Sequence, residues 1–179
     1  MAFNINEIKS QLTFGGAKAS LFQVAITNPI DGAGDLKTPF MVQAAQIPAA
    51  TVGVIEVPYF GRKVKIAGDR TFAEWTVTVI NDEDFLIRNA MEAWMASINS
   101  HEGNVTAGND YKNQAQITQY AKTGSPLRTY NFNGLFPTNI GDITMDWNTT
   151  DEIETFEVTF AYDWWNVSGG TTGDGGTNV

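Results

Sequence analysis

The sequence predicts a mainly β protein, an antiparallel two-sheet β-barrel or sandwich with one flanking α-helix. Short runs of alternating apolar and polar residues, turn-forming residues about every ten positions, and a single stretch with helical spacing carry that prediction. At 179 residues the chain fits one domain, expected over 1–166 with 1–19 as an N-terminal segment. A flexible tail is expected over 167–179, where VSGGTTGDGGTNV is rich in glycine and nearly free of apolar residues.

SLFQVAI at 20–26 and FMVQA at 40–44 read as strands of a hairpin joined by a long loop, NPIDGAGDLKTP, whose Asn, Pro, Asp and Gly supply turn chemistry. A second long connection, 46–59, carries Pro48, Gly53 and Pro58. Its Val52, Val54, Ile55 and Val57 are costly to leave in water, so it is expected to cover its own core or a neighbouring subunit. The run 62–67 alternates Arg62, Val64 and Ile66 with Lys63, Lys65 and Ala67. The run 71–80 sets Trp75, Val77 and Val79 against Glu74, Thr76 and Thr78. Each reads as a strand with one wet face, and 67–70 (AGDR) as the turn between them.

Asn81 then reads as the N-cap of the helix, followed by Asp82, Glu83 and Asp84 where a helix dipole favours negative charge. Ile87, Met91, Trp94, Met95 and Ile98 form its apolar stripe, and it is expected to end near Ser100. Further strands are expected at 114–120, 127–135, 143–147 and 155–162. In the last, Phe156, Val158 and Phe160 oppose Thr155, Glu157 and Thr159.

The chemistry is mostly excluded. The net charge of −9 disfavours a grip on nucleic acid phosphates. With no cysteine and one histidine, His101, placed in a polar loop, neither a catalytic triad nor a zinc site is expected. The consecutive carboxylates Asp82, Glu83 and Asp84 diverge around a helix axis and are not read as a metal site. Glu154 and Glu157 are three apart in a strand and face opposite ways, so they are no glycosidase pair. Trp147, Trp164, Trp165 and Tyr162 would suit a sugar-binding platform, but Trp147 and Tyr162 fall on apolar strand faces and read as core. The loops at 31–35 and 173–176 match neither a phosphate loop nor a calcium loop. The short glycosylation patterns at Asn104, Asn148 and Asn166 are expected by chance. No signal peptide and no membrane span is expected. The reading is therefore a non-enzymatic scaffold without metal or cofactor.

AGDRTF…WTVTV.ND at 67–82, GL.PTN.G at 134–141 and DW…EI.TFEV at 146–158 occur in one order, and together they resemble the tail tube proteins of contractile-tailed, T-even-like bacteriophages. The resemblance covers about 20–165. It implies six copies in a ring whose inner strands join into one barrel, with rings stacked into a tube inside a contractile sheath. The implied partners are the chain itself, the sheath, tape-measure, baseplate and tail-terminator proteins. DNA would pass through the lumen without specific binding, and the implied location is the virion tail, assembled in the host bacterial cytoplasm.

Two departures are expected: a loop at 28–39 that reads as longer than the T-even pattern, and the extra Gly-rich tail. On this resemblance the wet strand faces become candidate lumen lining: Glu74, Thr76 and Thr78, then Thr144 and Asp146, then Thr155, Glu157 and Thr159. Candidate subunit or ring contacts are Asp31, Asp35 and Lys37 in the first loop, Val52, Val54 and Ile55 in the second, and Lys63 and Lys65. The lysines are expected to pair with carboxylates of a neighbour or with Glu74. The alternatives are the tube subunit of a contractile injection or type VI-like secretion system and, from another class, a carbohydrate-binding β-sandwich.

Overall fold

The computed structural model describes residues 5–100, 103 and 111–169. Its elements are α1 (Ile5–Gln11), β1 (Phe22–Ile26), α2 (Thr38–Met41), β2 (Val42–Ala45), β3 (Ala50–Tyr59), β4 (Arg62–Phe72), β5 (Trp75–Ile80), α3 (Leu86–Ile98), β6 (Asn113–Tyr120), β7 (Pro126–Ile140), β8 (Thr155–Ala161) and β9 (Trp164–Ser168). His101 of the polar loop, Asn104 of the glycosylation pattern and the expected tail from 170 on, with its loop at 173–176, lie outside the described residues.

The strands run in the order β1-β6-β7-β8-β5-β2, all antiparallel, with β9 also on β7. The 15-residue β7 makes two layers out of this one sheet. Its first part pairs with β6 and β9, and its last part pairs with β8. The switch falls at Gly134, whose φ of +68° favours glycine and whose missing side chain leaves room for the Asp163 carboxylate.

Alternation then fills the space between the layers. Val24, Ile26, Ile117 and Phe132 point inward from one layer; Trp75, Val77, Val79, Phe156, Val158 and Phe160 do so from the other. Trp75 stacks on Phe132 at 4.3 Å between centroids, and its indole N–H donates to the Gln46 carbonyl at 2.8 Å, so the large ring carries no orphaned polar atom. Helix α3 closes one side with Ile87, Ala90, Met91 and Trp94 buried; three of these belong to the expected stripe, whose last members, Met95 and Ile98, are only half-buried.

Several expected elements fall differently. The runs at 20–26 and 40–44 do not form a hairpin: β1 pairs with β6, β2 pairs with β5, and Phe40 and Met41 belong to the short α2. The connection 46–59 is mostly strand, and the turn expected at 67–70 lies inside β4. A register shift opposite Gly53 accommodates the residues around Gly68, where an added Cβ would sit 3.2 Å from the Gly53 carbonyl oxygen. The tight turn is instead Phe60-Gly61, both at positive φ.

Asn81 is not the helix cap. It is buried, with its backbone N–H on the Glu154 carbonyl at 2.8 Å and its amide donating to the Glu154 carboxylate at 2.9 Å. The acidic residues form a turn before α3, which follows Phe85 in the left-handed region. No strand forms at 143–147, and Trp147 is 99% exposed rather than core. The last strand runs past the expected tail boundary, since Val167 is buried in β9.

Candidate assembly surfaces

Four surfaces lie outside the core. The first is the outer face of β5 and β8, where the register sets Thr76 beside Thr159 and Thr78 beside Glu157. The hydroxyls of Thr76 and Thr159 are 3.3 Å apart, and Thr138 on β7 donates to the Thr159 carbonyl. With Thr155, this is a hydroxyl-rich face whose one charge among these residues is Glu157. The structure therefore brings together five of the eight residues nominated for a wet lining. It does not bring in the other three as strand residues: Glu74 lies in the two-residue break between β4 and β5, and Thr144 and Asp146 lie in an irregular loop.

The second surface is the β3–β4 hairpin, a separate two-stranded sheet. Every residue of β3 is exposed, including Val52, Val54 and Ile55, so this segment does not cover the core of its own chain. Phe72 roots it, with its ring 6.0 Å from Tyr162 and 6.5 Å from Trp165. Lys63 pairs with Glu56 across the two strands at 2.6 Å, which is a different partner from the expected Glu74. Lys65, opposite Glu56 in the register, forms no ion pair among the described residues.

The third is the segment around α2. Asn28 is buried, donates its amide to the Ala90 carbonyl at 2.9 Å and accepts from the backbone of Ile30. Asp35 accepts from the Asn28 backbone, and burial, the largest influence, raises its carboxyl above the usual range against that hydrogen bond. Asp31 caps the turn by accepting from Ala33. Lys37 reaches Asp82 at 2.6 Å and Asp84 at 2.5 Å. The hydrogen bonds to Lys37 hold both aspartates below the usual carboxylate range and lift the ammonium above its own. Asp31 and Asp35 thus bond within this segment, and Lys37 ties it to the turn before α3. The neighbours that sequence reasoning passed over, Leu36 and Phe40, are the exposed ones. Their apolar character in a turn-rich loop was the available signal.

The fourth is the loop 142–155, which encloses a concavity of about 550 Å³ lined by Met145, Trp147 and Ile153 together with acidic residues. Tyr162 and Trp165 pack against the core instead, so the four aromatics considered for a sugar platform do not share one surface.

A phage tail tube protein family model matches residues 5–168. The chain belongs to the phage tail tube protein family. Among curated relatives, the tail tube protein gp19 of Enterobacteria phage T4 is 41% identical over 153 residues, which is 83% of this chain and 90% of that protein. Among solved structures, the tube-terminating cap of the anti-feeding prophage superposes with a TM-score of 0.64 at 19% identity, covering 85% of this chain and 90% of that one. A chain of the sheath-tube complex of the extracellular contractile injection system PVC gives 0.59 at 17% identity, covering 93% and 99%. These two show the shared tail tube fold. The protein is a structural component of a phage tail tube, and the virion tail is its place.

Proposed function

We propose that six copies close into a ring through their sheets, and that rings stack into the inner tube of a contractile tail through which the genome is delivered. Membership in the tail tube family, with 41% identity to a T4 tail tube protein, is the observation that carries this reading. The physical chemistry agrees with it. Closing a sheet into a ring removes exposed strand edges, and among the described residues β2 has a ladder partner on one side only. A face of threonines with one glutamate offers no cation for DNA phosphates, so DNA slides past without sticking. Thr76, Thr78, Thr155, Glu157 and Thr159 are the proposed lumen lining, and the β3–β4 hairpin and the 142–155 loop the proposed contacts between copies.

The sheath, baseplate and terminator proteins are the proposed neighbours, with a tape-measure protein filling the lumen before the genome. Assembly is proposed to take place in the host cytoplasm. The chain is proposed to have no enzymatic activity. A second reading, the tube of an injection or secretion apparatus carrying protein, draws on the fold shared with the injection-system tube. Negative-stain electron microscopy of the concentrated protein, alone and with the tail initiator complex, tests assembly. Rings or tubes are expected, whereas monomers under both conditions would overturn the reading. Nuclease-protected DNA in tails built with this protein separates the phage reading from the second.

A further inference from the structure

The hairpin and the 142–155 loop are complementary in both charge and apolar character. The segment 50–72 carries Arg62, Lys63, Lys65 and Arg70 against two acidic residues, within a chain of net charge −9. The segment 142–155 carries five carboxylates, Asp142, Asp146, Asp151, Glu152 and Glu154, and no basic residue. Arg62, Lys65 and Arg70 make no ion pair among the described residues, and neither do Asp142, Asp151 and Glu152.

Both segments also expose large apolar side chains. At the hairpin tip Phe60 is 93% exposed and holds a left-handed conformation (φ +42°), which a residue without a small or polar side chain adopts at a cost. Asn or Gly suits that position better, so an aromatic there points to a contact outside the chain. Its ring packs edge-on against Tyr59 at 4.7 Å, making a two-ring wedge flanked by Arg62 and Lys63. In the loop, Met145, Trp147 and Ile153 are 75%, 99% and 72% exposed around the concavity. The wedge is aromatic with a basic rim, and the concavity sets Met145, Trp147 and Ile153 among the carboxylates of Asp142, Asp146, Glu152 and Glu154.

We propose that the hairpin tip of one copy docks into the 142–155 loop of a second copy, with Tyr59 and Phe60 against Trp147 and the basic residues against the acidic rim. The occupant is a second copy because this chain supplies both halves. The contact joins two different patches, so it is heterologous and propagates instead of closing as a two-fold dimer. The ten-residue β3 reaches on the order of 30 Å at a strand's rise per residue, enough to cross to a neighbouring copy. The inference rests on the assembly reading and adds which surface receives the hairpin.

The absence of native cysteine makes the test specific. Arg62→Cys at the tip and Thr150→Cys in the loop are placed in one chain, assembled, and treated with a short bis-maleimide. Intermolecular ladders are expected from this pair and not from Arg62→Cys with Thr123→Cys. Tubes that form but join the tip to residue 123, or never to residue 150, overturn the docking and leave the assembly reading intact. An unsubstituted chain that never assembles overturns both.

Charge reversal supplies an independent arm. Lys63→Glu with Lys65→Glu, and Asp151→Lys with Glu152→Lys, are each expected to shorten tubes by about ten-fold, while combining all four restores them. Circular dichroism confirms that each variant is folded. Folded loop variants with tubes of normal length contradict the proposal.

Discussion

Single positions decide where this chain bends and what it buries. At Gly134 an added Cβ would lie 2.1 Å from an Asp163 carboxylate oxygen, on a backbone already at positive φ. Gly134→Ala is therefore expected to destabilise the fold by about 1–3 kcal/mol, read as a lower urea midpoint with an unchanged slope; an unaltered midpoint contradicts the account. Asn81 separates two descriptions of one residue. As a helix cap it would accept aspartate without loss. In the structure it donates to Glu154, so Asn81→Asp sets one carboxylate against another, with an expected loss of about 1–3 kcal/mol near neutral pH. Protonating either acid relieves the clash, so the deficit should shrink on acidification. Thermal melts across pH check this, and a pH-independent deficit would contradict it.

At the scale of elements, Lys37 pins the turn before α3 to the segment carrying α2. Asp82 and Asp84 titrate lower in the folded protein, so their contribution is present above the ordinary aspartate range and is lost as pH falls through the lowered values. Lys37, raised, contributes below the ordinary lysine range and loses its effect only in strong alkali. Lys37→Met is expected to lower stability slightly at neutral pH and to flatten the acid limb of the stability curve. An acid limb unchanged by the substitution would remove the clamp.

The same scale shows which elements could be read in advance. The strands β5 and β8 alternate cleanly because each buries one face, and α3 repeats at helical spacing because it buries one stripe. The strand β3 shows no such alternation: with every residue exposed, no buried face imposes a period of two on VGVIEVPY. The sequence disguises the helix start for a related reason. Asn81 followed by three acids imitates a cap, while the distant Glu154 partner that claims Asn81 has no local signature. Trp147 reads as core from its place on the apolar face of an expected strand, and with no strand at 143–147 that face does not exist. Of the eight residues nominated as lining, those on β5 and β8 sit on strands whose alternation is legible in the sequence. Thr144 and Asp146 are nominated from an apolar rhythm that imitates a strand where the chain forms a loop.

For the whole molecule, the distribution of charge matters more than its sum. Glu157 is the charged residue on the threonine face, and in a ring every copy would contribute it. Glu157→Lys is expected to leave the melting temperature nearly unchanged, since the side chain is exposed. It is expected to slow genome delivery, with the defect easing as salt screens the new contacts. Single-particle ejection assays and plaque counts check this. Wild-type ejection at low salt would remove Glu157 from the lining.

The strand β7 belongs to both layers, paired with β6 and β9 up to Leu135 and with β8 from Phe136 onward. For the layers to slide past one another, a single covalent backbone must stretch or shed its ladder hydrogen bonds in series. Shear between the layers would therefore load this strand along its length as well as the side-chain packing. Any load along β7 would pass through the glycine at which the strand leaves one layer for the other.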